Sequence, residues 1–147
     1  MTSIVHATSR LLNALPSAAL AHISTQAGMS RWILGLWNCQ EVQPGLFKGE
    51  SLFDNSGGWV RVRVDMERGL VDYLVGATPN TLVPRIRAIV VAGEVIGYPA
   101  GTCVVTLEAW RTGDMSDERG ARLMFTHETE IELIRAQLLA NSSEPHT

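Results

Sequence analysis

The chain has 147 residues, a formal charge of −3, and 46% hydrophobic and 18% charged residues, proportions that suit one ordinary globular domain with a core of its own. That balance offers no cationic footprint for general nucleic-acid binding, and no segment approaches the roughly 18 to 20 unbroken apolar residues that a membrane-spanning helix needs. The two cysteines, Cys39 and Cys103, are far apart in apparent strands, which excludes a zinc ligand set or a disulfide framework and suits a reducing, cytoplasmic setting.

In chain order, residues 3–13 alternate loosely as a strand that ends before Pro16, a residue suited to the first turn of a helix. Residues 17–24 are alanine-rich and predict a short helix closed by Gly28; residues 30–36 predict a second short helix carrying Trp32. Residues 11–21 have the length of a signal-peptide core, but Asn13, Pro16 and Ser17 interrupt it, so the segment reads as folded structure. From Trp37 onward the pattern is of strands separated by turns: 37–42, the turn Pro44-Gly45, 46–53, the turn at 54–58, then 59–66, 70–75 and 85–92. The segment 59–66 alternates most cleanly, with Val60, Val62 and Val64 on one face and Trp59, Arg61, Arg63 and Asp65 on the other. A last period-two strand at 102–111 leads into a long amphipathic helix at 118–141, on which Leu123, His127, Ile131, Ile134 and Leu138 form an apolar stripe. Regular hairpin spacing favours an antiparallel meander. The expected fold is α+β: a curved antiparallel sheet wrapped around the long C-terminal helix, with two short helices after the first strand. Residues 1–141 would be one domain and 142–147 a polar, disordered tail.

This order of elements, with "SRLLNALPSAALAHIS" at 9–24 followed by Trp32, "GESLFD" at 49–54, "PAGTCVVTLEAW" at 99–110 and "HETEIELIRAQLL" at 127–139, resembles the START-like, or SRPBCC, helix-grip superfamily. Polyketide cyclase/dehydrase-like and Bet v 1-like proteins belong to it. The resemblance spans nearly the whole chain and implies that a hydrophobic or aromatic small molecule is held between sheet and helix. Some members add cyclase or dehydratase chemistry, but no catalytic set is common to the superfamily, and the resemblance carries over no cofactor.

Four residues are expected to line such a cavity: Trp32, Met124, His127 and Ile131. His127 is also the catalytic candidate, since an imidazole inside an apolar stripe can serve a ligand or move a proton near neutral pH. The commoner alternative is a core histidine satisfied by a backbone carbonyl. An acid/base pair would require Asp72, Glu108 or Tyr73 to project inward, which strand phase decides. Arg61, Arg63, Arg85 and Arg87 form either an anion-binding face or the solvated side of a half-buried sheet. Three functions follow: binding of an apolar metabolite, a cyclase or dehydratase using His127 as general acid or base, and a protein-interaction module with a solid core.

Overall fold

In the computed structural model, which describes residues 3–143, strand β1 (Val5–Leu12) is followed by α1 (Pro16–Ser24) and the single turn α2 (Gln26–Met29). A 3₁₀ turn at Leu34–Leu36 then leads into β2 (Trp37–Gln43), β3 (Leu46–Glu50), β4 (Gly57–Asp65), β5 (Leu70–Gly76), β6 (Val83–Ala92) and β7 (Cys103–Trp110). The long helix α3 (Asp117–Ser143) closes the described chain. All seven strands form one antiparallel sheet in the order β1-β7-β6-β5-β4-β3-β2. The chain thus leaves one edge of the sheet after β1, crosses to the opposite edge through α1, α2 and the 3₁₀ turn, and returns strand by strand to β1. The concave face grips α3, the helix-grip arrangement that the order of elements implies. No helix among the described residues is long and apolar enough to cross a membrane.

Period-two patterning explains which face is buried. On β7 the inward residues Cys103, Val105, Leu107 and Ala109 are fully buried, while Val104, Thr106, Glu108 and Trp110 between them are partly exposed. Val60 and Val62 of β4 and Val71 and Tyr73 of β5 continue this face, and Ile131, Ile134 and Leu138 of α3 pack into the same core. Val64, expected on the buried side, is 41% exposed, because it lies at the end of β4 beside the turn that Gly69 closes. Gly69 has a φ of 67°, and a Cβ there would stand 2.3 Å from the Val90 carbonyl oxygen, so the turn needs a residue with no side chain.

The crossing segment departs from the expected helices. Gly28 does not terminate α1; that helix ends at Ser24, and Gly28 lies inside α2. Trp32 lies in the turn between α2 and the 3₁₀ segment, where residues 30–36 were expected to form a helix. Both differences have one cause, the docking of the end of α1. Its last carbonyls lack intrahelical partners, and two buried aromatic side chains supply them: Trp32 Nε1 donates to the His22 carbonyl at 3.3 Å, and the Tyr73 hydroxyl donates to that of Ile23. Gly28 is the residue that allows this approach, since a Cβ on it would sit 1.8 Å from the His22 carbonyl oxygen. Across α3, His22 Nε2 and Gln137 Oε1 are 2.7 Å apart, and Gln137 Nε2 donates to the Arg31 carbonyl at 2.8 Å. The helix α3 extends to Ser143, two residues into the expected tail; the remainder of that tail lies outside the described residues.

Replacing Gly28 by alanine forces α2 away from α1 and disturbs the Trp32 bond with it. Equilibrium urea unfolding is expected to show a loss on the order of 3 kcal/mol, the upper range for overpacking, whereas Gly35→Ala, where an added Cβ meets nothing within 4 Å, should fall well below that.

Candidate functional site

Between α3, the crossing segment and the middle of the sheet lies a cavity of about 250 Å³. Trp32, Ile33 and Leu36 form one wall and Val60, Tyr73, Val75 and Ile86 the sheet side. Leu123, Thr126, His127 and Glu130 of α3 close it with the buried Met115, and the exposed Phe53, Arg119 and Arg122 stand around the mouth. Trp32 and Tyr73 meet edge to face, with ring centroids 6.0 Å apart and planes at 88°, a favoured aromatic geometry. Since the hydroxyl and the indole N–H are held by α1, this wall is set by the backbone on which it rests.

The inner end is polar. His127 is 2% exposed and Glu130 is 4% exposed, one helical turn apart on α3, with His127 Nδ1 3.9 Å from Glu130 Oε1. Glu130 Oε2 accepts a hydrogen bond from the Leu34 backbone N–H at 2.9 Å. Nδ1 of His127 is buried without a hydrogen-bond partner, so the histidine is not satisfied by a backbone carbonyl at that atom. Burial pushes the Glu130 carboxyl up to about 8, against the lowering effect of the Leu34 N–H. Burial likewise presses His127 down to about 4, helped by the nearby His6 and Arg85 and opposed by Glu128. At neutral pH these shifts leave an uncharged imidazole beside a protonated carboxyl.

Strand phase settles one open question, and two further polar positions differ from the sequence reading. Tyr73 is the inward member of the trio left open by the sequence; Asp72 faces outward, where it receives Arg87 at 2.7 and 3.3 Å, and Glu108 also lies on the outer face. Arg85 is not on the outer face with Arg87. The register slips between Tyr73, opposite Ile86, and Leu74, opposite Pro84, so Arg85 has no partner across the bulge and both it and Ile86 line the cavity. Pro84, which lacks an N–H for the ladder, marks such an irregularity in a strand. Glu130 was missed because glutamate on a helix normally faces water; its spacing from His127 and Ile134, three and four residues, places it on the buried stripe.

Of the four cavity residues expected from sequence, Trp32 and His127 are in the lining. Ile131 is fully buried in the core and is not part of the cavity wall. Met124 is corrected: it is 46% exposed and faces the start of β1, near Ile4 and His6, because a position one residue past Leu123 has rotated about 100° around the helix. The four-arginine face does not form, since Arg85 points inward and Arg87 is neutralised by Asp72. Cys39 and Cys103 are free and buried; burial pushes Cys39 up to about 11 and raises Cys103, so neither is a ready nucleophile.

The buried pair has a signature in stability. From its ordinary value of 4.5 to about 8, Glu130 holds a proton in the folded state that the unfolded chain releases, so its contribution falls as pH rises. From about 4 to 6.5, His127 lacks a proton that the unfolded chain binds, so its contribution grows as pH rises. The two slopes cancel between pH 4.5 and 6.5, and above 6.5 only the Glu130 loss remains. Urea titrations are expected to show the wild type losing on the order of 2 kcal/mol more than Glu130→Gln between pH 6.5 and 8, and equal losses in the two proteins would show that the carboxyl is already ionised in the fold.

No family model and no curated protein matches the sequence; the likeness is to solved structures. XoxI from Bacillus cereus aligns over 97% of this chain and 100% of its own, with a TM-score of 0.71 and 14% identity. The di-domain ARO/CYC BexL of the BE-7585A biosynthetic pathway aligns over 96% of this chain and 48% of its own, with a TM-score of 0.71 and 12% identity. A START superfamily protein from Mycobacterium smegmatis aligns over 92% of this chain and 97% of its own, with a TM-score of 0.66 and 8% identity. At such identities the likeness is one of fold.

Proposed function

We propose that this chain, which has the helix-grip fold of START-like proteins, binds a hydrophobic or aromatic small molecule in the cavity between its sheet and α3. The observation that carries the reading is an apolar, aromatic-walled hollow of about 250 Å³ with a few convergent polar groups at one end, the usual composition of a small-molecule site. The volume equals about eight waters at roughly 30 Å³ each, which suits a compound of one or two rings. Its apolar body would lie against Trp32, Val60, Val75 and Ile86, with a polar group near His127 and Glu130.

A second reading has its own support in the partnerless Nδ1 of His127 beside a protonated carboxyl. Such a pair can take a proton from one atom of a bound carbonyl compound and return one to another without leaving net charge in the cavity. That is the requirement of cyclase- or dehydratase-type chemistry, with His127 as base and Glu130 as the proton reservoir beside it.

Titration with the fluorescent apolar probe N-phenyl-1-naphthylamine tests the first reading. Saturable binding of one probe per chain is expected, abolished by Ile86→Trp, which fills the hollow; absence of saturable binding by the folded wild type would remove the pocket from consideration. For the second reading, His127→Gln in a protein with measurable turnover separates the roles: a fall in kcat of about a hundredfold with unchanged probe affinity marks proton transfer, and unchanged turnover excludes His127 from chemistry.

A further inference from the structure

Arg85 presents the one guanidinium that enters the cavity from the sheet. The bulge at Tyr73 and Leu74 turns it inward, and its Nε is buried with no hydrogen-bond partner. Among the described residues no carboxylate lies within ion-pair distance of it. Two residues further along the same strand, Arg87 on the outer face has Asp72 at 2.7 Å. The protein therefore neutralises the exposed arginine and leaves the half-buried one open, the reverse of what the cost of burying an unpaired charge would favour.

The surroundings do not supply the missing anion. Glu130, buried at the inner end of the same cavity, is engaged by the Leu34 N–H. Asp114 is exposed and feels the charges of Arg85 and Arg119 without bonding either. Arg119 and Arg122 stand at the mouth on successive turns of α3, with Arg122 lying over the Phe53 ring at 5.6 Å. An apolar hollow with a cationic entrance and one unpaired guanidinium inside it selects for an anion attached to an apolar body.

We propose that the ligand is an organic carboxylate whose apolar part fills the cavity and whose carboxylate sits on the guanidinium of Arg85. The inference rests on the cavity being a ligand site and adds the chemical class of the ligand. A carboxylate is planar and singly charged, so it matches one guanidinium through two parallel N–H···O bonds. A phosphate dianion would leave a second charge uncompensated among apolar walls.

Matched competitors test this. Displacement of N-phenyl-1-naphthylamine is measured with 2-naphthoic acid and with 2-naphthamide, which share the ring system and differ in charge. Wild type is expected to bind the acid about tenfold or more tighter than the amide. Arg85→Gln should lose that preference while keeping its affinity for the amide, which also reports that the pocket is intact, and Arg85→Lys should retain part of it. An amide bound by wild type as tightly as the acid, or a preference that survives in Arg85→Gln, overturns the carboxylate assignment while leaving the pocket standing. If neither competitor nor the probe binds, the pocket reading fails and the assignment with it. The wild-type ratio of acid to amide decides the matter even if Arg85→Gln does not fold.

Discussion

The arrangement of the whole inner end depends on one carboxyl group. Glu130 is carried by the most buried face of α3 and receives the backbone N–H of Leu34 at 2.9 Å, which fixes the crossing segment to the helix at the point where the chain is about to enter β2. From that point Leu36 is set against Gly49 and Gly58, where its side chain leaves room for no Cβ without a close contact. Were Glu130 apolar, the part-buried Leu34 N–H would lose this partner. Were it ionised, the cavity would contain a charge with no cation bonded to it. The protonated carboxyl is the state that satisfies both constraints.

The end of α1 supplies the second constraint, and it works through the cavity wall. Trp32 and Tyr73 are large aromatic residues whose polar atoms both turn to carbonyls of one helix end. Their apolar faces are consequently fixed toward the cavity. The wall is thus a by-product of helix capping: the side chains that satisfy α1 cannot rotate to fill the hollow without giving up bonds to buried carbonyls. This accounts for a cavity persisting in a protein whose interior would otherwise close-pack.

How much of this the sequence disclosed follows from the physics of each element. Strand and helix order, the meander and the buried stripe of α3 depend on period and turn chemistry, which are local, and the observed β7 and α3 agree with the expected segments within two residues. The crossing segment was misread because its geometry is set by contacts distant in sequence: Gly28 looks like a stop signal, yet its role is to let His22 approach. Arg85 was placed on the wrong face because alternation fails at a bulge, and only Pro84 hinted at one. Met124 shows the opposite error, in which proximity to His127 in sequence outweighed the rotation of the helix. Glu130 sat at the correct spacing and was passed over for being charged.

Fold alone would not assign any of these side chains a role, since the aligned structures share 8 to 14% of residues with this chain and the same scaffold serves many ends. The hollow opens to solvent at its mouth, so water can enter it. Water can relieve the inner end, where His127 and Glu130 offer bonds, but it gains little against Val60, Val75, Ile86 and the aromatic faces. An apolar body recovers contacts along that part of the wall, and a carboxylate on it would answer the guanidinium of Arg85, which lines the cavity without an ion-pair partner among the described residues. The two deficits of the interior, unfilled volume and an uncompensated guanidinium, are adjacent, so a single amphipathic anion can meet both.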